Sequence, residues 1–69
     1  MTALYNRIAR EFSEDLEFVL IGLIEDETDP LMRDLMVAKT HRLLDAYPGD
    51  AAHIDEEFKW WWSENTPQR

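Results

Sequence analysis

The chain contains no cysteine and only two glycines. Without cysteine it can form neither disulfides nor thiolate metal sites, which fits a reducing compartment such as the cytoplasm. Gly22 and Gly49 are too few to build a phosphate-binding loop. The longest apolar run, Phe18 to Ile24, is too short to span a bilayer, and the first residues lack the apolar segment of a secretory signal. We therefore expect a cytoplasmic protein that does not associate with membranes.

Basic residues are also scarce, since 15 acidic residues stand against 7 basic ones and give a net charge of −8. Binding to nucleic-acid phosphates needs clustered Lys and Arg, so no direct contact with nucleic acid is expected. A chain of this charge can meet a basic protein surface, including one that normally holds DNA. Alternatively, the carboxylates only keep the protein soluble.

Two turn signals divide the chain into helices. Asp29 before Pro30 is typical of a helix start, and Pro48-Gly49-Asp50 ends one helix and caps the next. No alternating run of β-branched residues occurs. The pattern predicts one all-α domain over the whole chain, with helices at about 3–26, 30–46 and 51–63, arranged as a helical hairpin plus a short third helix.

The first two predicted helices carry more apolar residues than one face can hold. The main stripe of the second helix includes Leu35 and Leu43. A helix that is apolar on two sides is usually buried on two sides, whereas a chain this short has only a small core. We therefore predict a homodimer. Its interface is expected to contain the residues on the second faces of these helices, namely Phe18, Ile21, Val37 and Leu44.

Three tryptophans stand side by side at Trp60, Trp61 and Trp62. Neighbours in a helix point about 100° apart, so one core cannot receive all three. The inward face of the third helix is predicted to contain Ala51, Ile54, Phe58, Trp61 and Trp62. Trp60 falls on the outer side with His53 and Glu56. There it either lies over a helix of a second copy or anchors a different protein.

An acidic turn, Glu25-Asp26-Glu27, lies at the C-terminal end of the first predicted helix. Anions are unfavourable at the C-terminal end of a helix, so the helix dipole does not explain these residues. We therefore take Glu25, Asp26 and Glu27 as candidate partner-binding residues. Trp60, His53 and Glu56 complete the candidate set.

The sequence offers no catalytic constellation. Its serines and threonines lack an activating motif such as G-x-S-x-G. Asp50 and His53 have the carboxylate–histidine spacing of di-iron helices, but such sites need a second motif, and Asp50 is better explained as a helix cap. The pair His41 and Asp45 has the spacing of a surface salt link. We expect no enzyme activity, no cofactor and no metal site.

The segment EDLEFVLIGLIEDETDPLMRDLM and the FKWWW tail, in a short acidic chain without cysteine, resemble the small early proteins of Mu-like Pseudomonas phages. That family includes anti-activators of quorum sensing. The resemblance implies a helical homodimer that binds a host protein, a LuxR-type transcriptional activator, at its DNA-binding domain and keeps it from DNA. It also implies inhibition of the type IV pilus assembly ATPase, which would block superinfection by other phages.

Two other functions are compatible with the sequence. An acidic DNA mimic of the anti-restriction or anti-CRISPR type needs carboxylates spaced along an extended surface, whereas here they cluster at turns. A structural adaptor or an antitoxin needs only a stable helical module. The favoured expectation is a non-enzymatic inhibitor that covers a basic DNA-reading surface, with acidic residues at its rim and aromatic anchors at its centre.

Overall fold

The computed structural model describes residues 2–12 and 19–66. This part of the chain forms four α-helices and no strand: α1 (Thr2–Phe12), α2 (Val19–Asp26), α3 (Pro30–Ala46) and α4 (Ala51–Asn65). The predicted all-α class is therefore confirmed for the described residues. The homodimer stays a prediction.

The helix predicted over 3–26 crosses residues 13–18, which lie outside the described ranges. On either side of them, α1 and α2 do not share one straight axis. The hydroxyl group of Tyr5 in α1 lies close enough to the Glu25 carboxylate at the end of α2 for the two groups to interact electrostatically. Twenty residues of straight helix would separate the two positions by about 30 Å. The expected hairpin of two long helices therefore has to be replaced by separate helices α1 and α2.

The starts of α3 and α4 follow from local sequence. Asp29 Oδ1 accepts a hydrogen bond from the Leu31 amide at 3.0 Å, and Pro30 occupies the first turn, where a missing amide hydrogen costs nothing. Asp50 Oδ1 accepts from the His53 amide at 3.1 Å. Between the two helices, Gly49 takes a φ of 78°, a conformation that other residues rarely adopt. The predicted capping roles of Asp29 and Asp50 are confirmed.

The core lies between α3 and α4, with α2 packed against both helices and α1 contributing two residues. Its buried apolar side chains are Leu4, Ile8, Leu20, Ile24, Met36, Leu43, Leu44, Ile54 and Phe58. Thr40 is also fully buried, and its hydroxyl donates to the Met36 carbonyl at 2.8 Å. Because this hydrogen bond satisfies the hydroxyl, a polar residue can occupy the centre of the inward face of α3.

The apolar faces of α3 are not where the sequence pattern suggested. Leu44, expected at a dimer interface, is 1% exposed inside the core, and Val37 packs against that core, whereas Leu35 is 55% exposed. The core stripe is centred on Thr40, which hydropathy alone excludes from a buried position. Ile21 is half-buried and also packs against the core, and Phe18 lies outside the described residues. The prediction that Leu44 lies at a dimer interface is therefore wrong, because its side chain is buried in the core of its own chain.

No helix within residues 2–12 and 19–66 has the length and apolar character needed to cross a membrane.

Candidate partner-binding surface

Trp60 is the large aromatic residue that α4 presents to solvent. Its side chain is 65% exposed, while Phe58 is fully buried and Trp61 and Trp62 are half-buried against the core. The rings of Phe58 and Trp61 lie 5.7 Å apart in a tilted arrangement. The predicted outward orientation of Trp60 is therefore confirmed. The helical period explains the three neighbouring tryptophans: two extend the core stripe and the third leaves it.

Carboxylates flank Trp60 along the outer side of α4. Glu56 and Glu64 are both exposed and stand four residues before and after it, so each lies one helical turn from the indole. Glu64 was not among the predicted site residues. We call Glu56, Trp60 and Glu64 the Trp60 surface. It combines a broad apolar ring with two negative charges, and the exposed Lys59 is next to Trp60 in the sequence.

His53 is held in a local arrangement at the start of α4. Its ring stacks on Tyr47 with the ring centres 4.2 Å apart, and its Nε2 lies 3.4 Å from Glu57 Oε1. His53 and Trp60 are seven positions apart, which corresponds to about 10 Å along the helix. His53 therefore packs against the turn between α3 and α4, about two helical turns away from the indole of Trp60.

The acidic turn is partly used to hold the chain together. The Glu27 carboxylate accepts from the Asp29 amide at 3.0 Å, and the Glu27 carbonyl accepts from Arg33 Nε at 3.1 Å. The guanidinium of Arg33 also places a positive charge beside the C-terminal end of α2, where it is favourable. Glu25 and Asp26 are exposed. Of the three predicted residues, Glu27 therefore has a structural role, and Glu25 and Asp26 leave their charges at the surface.

The acidic turn connects α2 to α3, and the Trp60 surface lies on α4. These three helices pack against one another.

Asp55 links two helices in a way that the sequence did not reveal. Its Oδ1 accepts from the backbone amide of Leu20 at 3.3 Å, so a residue of α4 caps the first turn of α2. Burial raises the pKa of the Asp55 carboxyl, while the amides of Leu20 and Val19 and the charge of Lys59 partly oppose that rise. The partner of Asp55 lies 35 residues away along the chain, so no local sequence pattern indicates this contact.

Two substitutions of Asp55 distinguish the contribution of its hydrogen bond to stability from the contribution of its charge. A raised carboxyl pKa means that the ionised form costs stability at neutral pH, and that the cost disappears as the pH falls through the folded-state pKa. Asp55→Asn keeps the acceptor without the charge, so we expect it to be at least as stable as the wild type at neutral pH and to gain less on acidification. Asp55→Ala loses the cap and about 1 kcal/mol. Urea unfolding followed by circular dichroism measures both, and equal losses in the two variants would contradict this role.

Arg7 holds α1 against α3. Its Nε lies 2.6 Å from Glu11 Oε2, and one terminal nitrogen lies 3.1 Å from His41 Nδ1. The other terminal nitrogen pairs with the Asp45 carboxylate. Hydrogen bonds to Glu11 and Asp45 raise the pKa of the Arg7 guanidinium further above its already high range. His41 and Asp45, predicted to form a salt link along one helix, thus both face a cation on another helix.

Tyr5 places an enclosed hydroxyl beside a carboxylate. Its oxygen has no hydrogen-bond partner of standard geometry, and burial together with the nearby Glu25 raises its pKa to about 12. Because the ionised form is disfavoured in the folded state, stability should fall as the pH rises from the ordinary tyrosine range toward that value. We expect Tyr5→Phe to reduce this alkaline loss while leaving stability at pH 7 unchanged or slightly higher. Thermal melts at pH 7 and about pH 11 test it, and an identical alkaline loss in the variant would rule it out.

The described residues give no sign of a metal centre. No group of three or more His, Asp or Glu side chains within them is arranged to hold an ion.

Comparisons of the chain with protein-family models, with curated proteins and with solved structures find no match.

Proposed function

We propose that this protein is a non-enzymatic inhibitor that binds a host regulatory protein through the Trp60 surface. The favoured partner is a LuxR-type transcriptional activator, bound at its basic DNA-reading surface, and the sequence resemblance adds the type IV pilus assembly ATPase as a second target. The inhibitor is proposed to act as a homodimer in the host cytoplasm.

The observation that carries the proposal is the 65% exposure of Trp60 between two carboxylates. Tryptophan is enriched among the few interface residues that dominate binding energy, because its large ring fills a pocket from which water is excluded. A tryptophan that is mostly exposed contributes little to the folding of its own chain. We therefore infer that Trp60 contacts another protein.

Charge favours a basic partner. The chain carries a net charge of −8, and the exposed carboxylates of Glu25, Asp26, Glu56 and Glu64 contribute to it. Opposite charge accelerates the encounter of two proteins, whereas a buried aromatic anchor mainly sets the lifetime of the complex. The arrangement suits a protein surface rich in Lys and Arg, such as one that otherwise holds DNA.

A gel-shift competition tests the proposal. The activator is bound to labelled operator DNA, and the protein is added at increasing concentration and at two salt concentrations. The expected result is release of DNA, less efficient at higher salt because the charge contribution is screened. Release by wild type but not by Trp60→Ala supports the Trp60 surface as the contact. No release at any concentration would overturn the proposed target.

A further inference from the structure

The outward side of α3 forms a continuous exposed face. Apart from Pro30 at its start, the exposed residues of this helix fall within an arc of about 120°. They are Leu31, Asp34, Leu35, Ala38, Arg42, Asp45 and Ala46, and we call them the α3 outer face. This face points away from the core stripe around Thr40.

The α3 outer face is apolar in its N-terminal half. Leu31 is 75% exposed and Leu35 is 55% exposed, two of the largest apolar exposures in the described residues. Ala38 follows at the middle of the helix, where its small side chain permits close approach. The positions 31, 35, 38, 42 and 45 alternate in steps of four and three residues, which is the spacing of a helix that packs along another helix.

Charge on this face is nearly balanced, unlike the rest of the protein. Asp34 and Arg42 carry opposite charges eight residues apart, and Asp45 is already paired with Arg7 of α1. Two copies that each carry a net charge of −8 repel one another over most of their surface. The α3 outer face is where they can approach without placing like charges opposite each other.

We propose that a second copy of this chain covers the α3 outer face, with the two α3 helices antiparallel across a two-fold axis. In this arrangement Leu35 packs against the partner's Ala38, and Leu31 lies along the methylene groups of the partner's Arg42. The guanidinium of Arg42 then reaches the partner's Asp34. The two-fold axis repeats each contact. The inference rests on the homodimer of the proposed function and assigns its interface to residues other than Phe18, Ile21, Val37 and Leu44.

The size of the α3 outer face limits the area that two copies can bury. A helix of 17 residues is about 25 Å long, so one face of it buries less than the roughly 800 Å² per partner of a standard interface. We therefore expect a reversible monomer–dimer equilibrium in the micromolar range.

Charge-reversal variants test the antiparallel pairing. Asp34→Arg and Arg42→Asp each place like charges opposite each other twice per dimer, and each is expected to weaken self-association by about tenfold or more. In an equimolar mixture of these two variants, a heterodimer has opposite charges at both contacts. We therefore expect heterodimers to form in the mixture, although each variant alone forms homodimers poorly. Sedimentation velocity over a concentration series measures all of these species.

Two further variants distinguish a contact at the α3 outer face from a general effect of net charge on self-association. Leu35→Glu puts a carboxylate into the centre of the contact and is expected to weaken the dimer by about 100-fold, since the change occurs twice. Glu64→Arg changes the net charge by as much as Asp34→Arg but lies on α4, so it should leave self-association unchanged. Helicity at 222 nm should be retained throughout, because each altered side chain is exposed or at the surface.

The outcomes distinguish this inference from the proposed function. A wild-type chain that stays monomeric at millimolar concentration overturns both the homodimer and its interface. A dimer that survives Leu35→Glu and shows no preference for the mixed charge variants overturns the interface alone. A host protein that loses binding to Leu35→Glu, while the wild-type chain is a monomer, assigns the face to that protein and also overturns the inference.

Discussion

Phe58→Ala is expected to unfold the protein at room temperature. Phe58 is fully buried at the centre of α4, and its ring packs against Trp61. Truncating a buried phenylalanine costs about 3–5 kcal/mol, because apolar contacts are lost and a cavity remains. A single domain of this size has a total stability of only a few kcal/mol, so the change removes most or all of it. Circular dichroism should show loss of helicity and of a cooperative thermal transition.

Trp60→Ala provides the matched control for this prediction. It removes an aromatic side chain two positions further along the same helix, but from a position that is 65% exposed. We expect its melting transition to stay close to that of the wild type, since surface substitutions usually change stability by about 0.5 kcal/mol or less. Similar destabilisation by both substitutions would mean that the indole of Trp60 contributes to the fold.

Trp60→Ala is expected to have its large effect on partner binding. Loss of an aromatic anchor from the centre of an interface costs about 2 kcal/mol or more, which corresponds to a weakening of roughly 30-fold. Because the anchor acts mainly on the lifetime of the complex, the dissociation rate should carry most of that change. Surface plasmon resonance with the purified activator measures the two rates separately.

Two neighbouring variants sharpen this result. Trp60→Phe keeps a smaller aromatic ring and should retain part of the affinity. Glu64→Gln removes one flanking charge and should reduce the association rate and its salt dependence without a comparable change in the dissociation rate. If Trp60→Ala instead dissociated at the wild-type rate, the candidates for the anchor would include Val19, Leu31 and Leu35, the other large apolar side chains that are exposed within residues 2–12 and 19–66.

The features that could be predicted from the sequence are those determined within a few residues. Asp29 and Asp50 cap their own helices through amides two and three residues ahead. The orientation of Trp60 follows from the helical period of α4 alone, because Ile54 and Phe58 fix the inward side unambiguously. In both cases, knowledge of the rest of the fold was not needed.

The features that the sequence did not reveal depend on contacts between distant segments. The carboxylate of Asp55 meets the start of α2, and Arg7 meets His41 and Asp45, across 35 and 34 to 38 residues of chain. The rotation of α3 was misjudged because a buried threonine marks its inward face, while the apolar Leu35 lies outside. Hydropathy cannot distinguish a leucine that is buried in the core from one that is exposed at the surface, as Leu35 is.

Crosslinking at position 60 shows which protein the Trp60 surface contacts. A photoreactive phenylalanine analogue is placed at residue 60, or as a control at His53 on the same helix, and the protein is irradiated in host cells. We expect a crosslink from position 60 to the DNA-binding domain of a transcriptional activator, and little or none from position 53. Crosslinks from position 60 only to a second copy of the chain, or to no protein, would contradict the proposed contact.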